Sequence, residues 1–358
     1  MTGYSVKIRT RHLCSGLLLD FSHLTFSETV NMSKGLQWHE TTADELPDLL
    51  ELLFRHLESE ERKARITQLL ANYGRAAALS SNVPFPANDV NINTFFHWTR
   101  ENEIVGGLLT MLRPDGTVLA LLPAAAPQEP FPTQQLIFEK LLDYSVSVNA
   151  RLIMILVDCR QSADLSLMEE FGFQKVSELI NMSAEQSVFP ETMTPGRLQF
   201  RPYTDDCWDE MIELVERTYE RTLDFPLLSG LVPTSEILRG YRESHPFEPS
   251  LWFFIEFQRQ KIGALLLTQL EQAEHLELTY VGLLPEFRGL HLAHEIVRHA
   301  QYVARKRYCQ FLLVSVDSEN TPALTTYVRL SFHVYDRKEI FVRFLQEKRQ
   351  ITQPALNQ

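Results

Sequence analysis

The sequence is poor in cysteine, short of basic charge and without a long apolar run, and each shortage removes a class of function. Its four cysteines, Cys14, Cys159, Cys207 and Cys309, stand far apart, with no CxxC pair and no histidine at zinc-site spacing. Neither a disulfide scaffold nor a structural zinc site is expected, and a reducing, cytoplasmic setting is the default. Lysine and arginine total 34 against 46 aspartates and glutamates, a formal net charge of -12. That balance disfavours nucleic acid, whose partners carry clustered basic surface to displace counterions; a neutral or cationic small partner fits better. No run approaches the roughly 18 apolar residues that cross a bilayer, so no membrane partner is expected. Lys7, Arg9 and Arg11 precede a short apolar stretch, but Asp20 breaks it and no small-residue cleavage site follows, so a secretion signal is not expected.

What is present is two domains' worth of ordinary globular sequence. At 358 residues the chain exceeds the roughly 150 typical of one domain. Its first 34 residues look like an extension, and from residue 35 a regular pattern begins. It runs as a short strand (36–40), a helix with Leu46, Leu49, Leu50 and Leu53 on one face (43–56), and a second helix (60–73). Three strands follow at 94–99, 104–112 and 117–122, the last two joined by the turn Pro114-Asp115-Gly116. A helix (133–148), a buried strand (152–157), a short helix (165–171) and a strand from Phe173 complete the unit. Residues 187–197, with Pro190 and Pro195, read as a linker, and residues 198–345 then repeat the same order of elements, ahead of a tail at 346–358. The repeat predicts two α+β domains, 35–186 and 198–345, each with one mixed, mainly antiparallel sheet flanked by helices.

Two segments of the second half carry chemistry. The run Leu283-Leu284-Pro285-Glu286-Phe287-Arg288-Gly289-Leu290-His291-Leu292-Ala293 leaves an apolar strand and enters an amphipathic helix. A tight turn that opens a helix aims free backbone N–H groups at one point, which suits a pyrophosphate, and Arg288 adds a cation. Downstream, Asn320-Thr321-Pro322-Ala323 opens a helix, with Thr321 as cap and Pro322 at its first position, and Ala323, Tyr327 and Leu330 share a face. By itself Tyr327 reads equally as a core aromatic.

Together these segments resemble the GNAT superfamily of N-acetyltransferases. The family's Arg-Gly-x-Gly-x-Gly/Ala loop is matched by Arg288, Gly289 and Ala293 after Leu283-Leu284-Pro285, and its Asn-x-x-Ala-x-x-x-Tyr helix by Asn320, Ala323 and Tyr327. His291 and Ser331 stand where the family has glycine. The resemblance implies two tandem GNAT-like domains and an enzyme that moves an acetyl group from acetyl-CoA to a primary amine, on a small molecule or a protein. It implies that Leu283, Leu284, Arg288, Gly289, Leu290, His291, Leu292, Ala293 and Asn320 bind acetyl-CoA, with the Leu283 N–H polarising the thioester. Tyr327 would protonate the departing thiolate. Glu277, six residues before Leu283 and hence on its face by strand alternation, is the candidate general base; it reads equally as an exposed strand carboxylate, with Glu256 in reserve.

The first half keeps the architecture without the motif. Where the loop should follow its third meander strand stands Pro123-Ala124-Ala125-Ala126-Pro127-Gln128-Glu129-Pro130, and Met168 occupies the place of Tyr327. Prolines remove donors that phosphates need, so this half reads as a degenerate copy that supports the other or shapes its acceptor cleft. Phe225, Leu227, Leu228 and Leu231 either line an acceptor pocket or cover the core. A non-catalytic acyl-CoA-binding or protein-interaction module is the competing reading, and oligomeric state is left open.

Overall fold

The computed structural model describes residues 35–80, 92–113, 116–121, 123–129, 131–161, 165–193, 196–226, 230, 232–243, 247–270 and 274–345. The expected N-terminal extension, the tail, Pro114 and Asp115 of the first turn, and Leu227, Leu228 and Leu231 lie outside the described residues.

The first half contains β1 (Gln37–Glu40), α1 (Leu46–Leu53), α2 (Ser59–Ser80), β2 (Ile92–Arg100), β3 (Glu103–Leu112), β4 (Thr117–Leu121) and the two-residue β5 (Ala124–Ala125). Then come α3 (Phe131–Ser147), β6 (Leu152–Asp158), α4 (Leu165–Glu170) and β7 (Gln174–Glu185). The second half contains β8 (Leu198–Pro202), α5 (Trp208–Thr218), α6 (Thr234–Glu243), β9 (Trp252–Phe257), β10 (Gln260–Gln269) and β11 (His275–Leu283). It closes with α7 (Ala293–Lys306), β12 (Phe311–Asp317), α8 (Thr321–Arg329) and β13 (His333–Phe344).

Helix α1 buries Leu46, Leu49, Leu50 and Leu53, the i, i+3, i+4, i+7 stripe read from the sequence. It lies so close to β3 that a Cβ on Gly107 would come within 2.3 Å of the Leu49 side chain. The two halves repeat each other in detail. Ala126 donates its N–H to Val105 at 2.7 Å, as Leu284 does to Ile262 at 2.8 Å. Phe173 donates to the Met168 carbonyl as Phe332 does to that of Tyr327, which makes Met168 the structural counterpart of Tyr327. Both helix ends place the next residue in the left-handed region, Gly172 at φ 72° and Ser331 at φ 63°.

The mixed, mainly antiparallel sheets of the two halves join edge to edge. The thirteen strands among the described residues form one sheet, ordered β1-β2-β3-β4-β6-β13-β7-β12-β11-β10-β9-β8, with β5 beside β3. The closing strands are exchanged: β13 lies between β6 and β7, and β7 pairs with β12. Both copies have the same alternating pattern, so the sequence does not say which open edge a closing strand joins. Exchange covers the inner edge of each half, which would otherwise expose unpaired backbone groups.

Helices α1, α2, α5 and α6 share one face of this sheet. On that face Phe225, from the segment between α5 and α6, packs with Leu152, Ile340 and Val342 of strands β6 and β13. Phe225 therefore covers core, and the core it covers is built partly from the first half. Arg151 at the start of β6 also pairs with Glu236 of α6 at 3.2 Å. No helix among the described residues is long and apolar enough to cross a membrane.

Candidate active site

Strands β11 and β12 pair in parallel from His275 with Phe311 to Leu278 with Val314, and no further. Beyond that point the two strands part. The N–H of Leu284 is turned to β10, so by alternation the Leu283 N–H faces the opening. In the first half, β4 pairs with β6 as far as Leu121 with Leu156, and β5, the counterpart of the end of β11, pairs with β3 and not with β6.

Leu284 leads into the turn Pro285–Phe287, and Gly289 and His291 then adopt left-handed φ values of 77° and 58°. Helix α7 begins at Ala293 with no side-chain cap. The N–H groups of Leu290, His291, Leu292 and Ala293 make no hydrogen bond among the described residues. Open donors at the positive end of a helix are what a pyrophosphate requires, so this loop fits one. Arg197 of the linker braces it from behind, donating to the carbonyls of Leu290 at 3.2 Å and His291 at 3.4 Å and pairing with Glu295.

Arg288 is not the free cation that the sequence suggested. Its guanidinium donates to three carbonyls, of Leu283 at 3.0 Å, Arg221 at 2.9 Å and Thr218 at 2.8 Å. The planar fork ties the end of α5, where helix carbonyls lack partners, to the end of β11. Its part in the site is to shape the loop.

The first half shows the opposite arrangement. Residues 127–130 replace 285–292 between the matching proline and the helix, and the Glu129 carboxylate lies just before α3. It accepts from Thr133 of that helix at 2.9 Å and from Arg100 at 3.1 and 3.2 Å, and is almost fully buried. This half thus carries its own anion at the helix start.

Helix α8 is capped by Asn320, whose Oδ1 accepts the Ala323 N–H at 3.3 Å; Asn320, not Thr321, is the cap, and Pro322 sits in the first turn. Tyr327 is 4 % exposed and packs on Phe332. Burial pushes its phenol pKa far above the ordinary value, so the hydroxyl keeps its proton at any working pH.

Glu277 needs a second correction. The β10–β11 register slips, with Leu266 opposite Tyr280 but Leu267 opposite Leu278. Thr279 is therefore an extra residue, and a bulge of one residue reverses the alternation. Glu277 shares a face with Tyr280 and Gly282, under α5, whereas Leu283 points to the other face. Burial raises the Glu277 pKa, yet the residue lies on the paired stretch, opposite Leu313 of β12, ahead of the gap. Glu256 is held in an ion pair with Arg201 at 3.2 Å.

Two residues of the site escaped the sequence reading. Arg197 sits in a linker with no motif. Asp224 follows α5, and its Oδ1 accepts the Asp317 N–H of β12 at 3.1 Å. Asp317 in turn is buried and accepts from Phe225 at 3.0 Å and from Ser177 of β7. No spacing rule connects Asp224 to β12, which lies some ninety residues later.

Residues 208–332 match the family model for the GNAT acetyltransferase family. Among solved structures, a GCN5-related N-acetyltransferase from Sphaerobacter thermophilus superposes with TM-score 0.61 at 14% identity, over 86% of this chain and 95% of its own. A fungal protein described as a GCN5-related glucosamine N-acetyltransferase region within a multi-domain β-N-acetylglucosaminidase gives 0.56 at 12% identity. This chain is covered there to 86% but spans only 38% of that protein. A Drosophila protein gives 0.52 at 11% identity, over 86% of this chain and 98% of its own. No curated protein sequence matches significantly. At these identities the structural likeness speaks for the fold alone, a GNAT-like one spanning both halves. Residues 208–332 of this chain are a domain of the GNAT acetyltransferase family.

Proposed function

We propose that this protein transfers an acetyl group from acetyl-CoA to a primary amine of a small molecule or protein, by direct attack in the second half. The observation that carries the reading is the parting of β11 from β12 beside a loop of open N–H donors. Acetyl-CoA supplies the activated thioester. The Leu290 to Ala293 donors hold its pyrophosphate, with Gly289 and His291 setting the turn and Arg288 and Arg197 fixing it from behind. The Leu283 N–H polarises the thioester carbonyl; a donor already oriented lowers the barrier because nothing need reorganise. Tyr327 hydrogen-bonds the sulfur and supplies its proton, while the same apolar surroundings raise the proton affinity of the departing thiolate. A carboxylate on the α5 face takes the amine proton, and both Glu277 and Asp224 stand on that face. Domains at 35–186 and 198–345 and a reducing cytoplasmic setting, in keeping with free thiols at Cys159, Cys207 and Cys309, belong to the same reading.

Calorimetry with acetyl-CoA, followed by CoA release across a panel of amines, tests it. One site per chain and release with at least one amine are expected; no binding at millimolar acetyl-CoA would sink the reading. A sensor that binds acyl-CoA without turnover is the second reading, favoured by the engagement of Arg288 with backbone carbonyls. Tight binding with no release across the panel would select it.

A further inference from the structure

The geometry points to Asp224, at the far wall of the β11–β12 gap, as the residue that receives a primary alkylamine. The inference rests on the acetyl-transfer reading and deepens it. Asp224 hangs from the segment after α5 and hydrogen-bonds the Asp317 N–H, on the strand that forms the far wall of the β11–β12 gap. Asn320, at the start of α8, lies near enough to favour its charged form. Three elements converge on this one carboxylate, while part of the residue stays open to solvent. Glu277 stands ahead of the gap on closed sheet.

The charged and titratable neighbours of Asp224 are few, and mostly phenols. Tyr219 of α5, Tyr280 of β11 and Tyr327 of α8 all lie within electrostatic reach of it. Tyr219 meets Tyr280 edge-on at 5.7 Å, and Tyr241 of α6 stands close to both. Asp317 is the nearest second carboxylate, and the Arg288 guanidinium lies near Tyr280. A carboxylate attracts an alkylammonium by charge. Crowding by the surrounding protein, with Asp317 adding to it, raises the Asp224 pKa against the pull of the Asp317 N–H and Asn320. A raised proton affinity suits a group that must take a proton.

In the step, the bound ammonium first gives a proton to the Asp224 carboxylate, which passes it to water; the neutral nitrogen then bonds to the thioester carbonyl carbon, and its surplus proton passes to Asp224 in turn. The C–S bond breaks, the sulfur takes the Tyr327 proton, and water returns a proton to the phenolate and removes the one on Asp224. The products are the N-alkylacetamide and free CoA.

The test uses the full chain with n-butylamine and 1,4-diaminobutane as probes, CoA release as one readout and the carbon-13 carboxyl resonance of Asp224 as the other. Asp224→Asn keeps an oxygen for the Asp317 N–H, so the fold and acetyl-CoA affinity should hold within about twofold. Its turnover should fall roughly a hundredfold or more, and the acid limb of the kcat/KM profile should vanish. Glu277→Gln should cost less than about fivefold by the same reasoning. Wild-type-like turnover and pH profile in Asp224→Asn would overturn the assignment, as would a large loss confined to Glu277→Gln. If neither amine releases CoA or moves the Asp224 resonance, the assignment also falls. Calorimetry with acetyl-CoA alone, which does not involve Asp224, then says whether the acetyl-transfer reading falls with it.

Discussion

At the scale of single residues, the site is held by side chains that work on backbone rather than on substrate. Arg288 and Arg197 both spend their guanidinium groups on carbonyls of the loop or its neighbours. His291 is the strained member: a side chain in the left-handed region costs about 1 kcal/mol. His291→Gly is expected to raise unfolding stability by about that amount, less the glycine entropy, and to leave or improve acetyl-CoA affinity. Chemical denaturation checks the first, and a loss of stability would mean that the imidazole has a structural partner. Tyr327→Phe removes one oxygen from a packed position. Its kcat should drop more than roughly tenfold with acetyl-CoA affinity unchanged, and steady-state kinetics beside calorimetry would separate the two; undiminished turnover would return Tyr327 to the core.

At the scale of elements, helix α7 carries a second titratable feature. The His299 ring stacks on Phe200 at 3.7 Å, meets Phe253 edge-on, and has no hydrogen-bond partner for either nitrogen among the described residues. Burial lowers its pKa to about 4. The folded protein thus favours the neutral ring, while the unfolded chain takes a proton below about 6.5. Stability is fully present above that value and is lost as pH falls from about 6.5 to about 4, by up to about 3 kcal/mol. His299→Phe should flatten this slope in denaturation curves taken across the range; an unchanged slope would assign it elsewhere. The elements themselves were legible where one residue type repeats at one period. Strands β8 and β11 have the bounds that alternation predicts, and α1 shows its leucine stripe. The bulge at Thr279 was not legible, because an extra residue in one strand leaves no mark on its composition. It misplaced Glu277 relative to Leu283. Asp224 was invisible for a different reason, since its partners are set by tertiary contact and not by spacing. The motif of Gly289, Ala293, Asn320 and Tyr327 is local: its left-handed turn, its two helix starts and the Asn320 cap are each set within a few residues.

At the scale of the whole molecule, the exchange of β7 and β13 makes the halves mechanically one body. Ile180 of β7, in the first half, is buried in the core of the second. Ile180→Ala should cost about 2–5 kcal/mol and shift a single calorimetric transition of the full chain. Two peaks, only one of them moved, would show that the halves melt apart despite the shared sheet. The first half therefore has a role that requires no chemistry: it closes the edge of β12 and seats Phe225 and α6 near Asp224.

The exchange also imposes a schedule on synthesis. The ribosome delivers β7 before β12, so the second half finds its neighbour waiting. The first half meets the reverse order, since β6 emerges early and its partner β13 is nearly the last strand made. Until residues 333–344 leave the exit tunnel, β6 has an unfilled side, and a stalled or shortened nascent chain would carry a bare strand ready to pair with another copy.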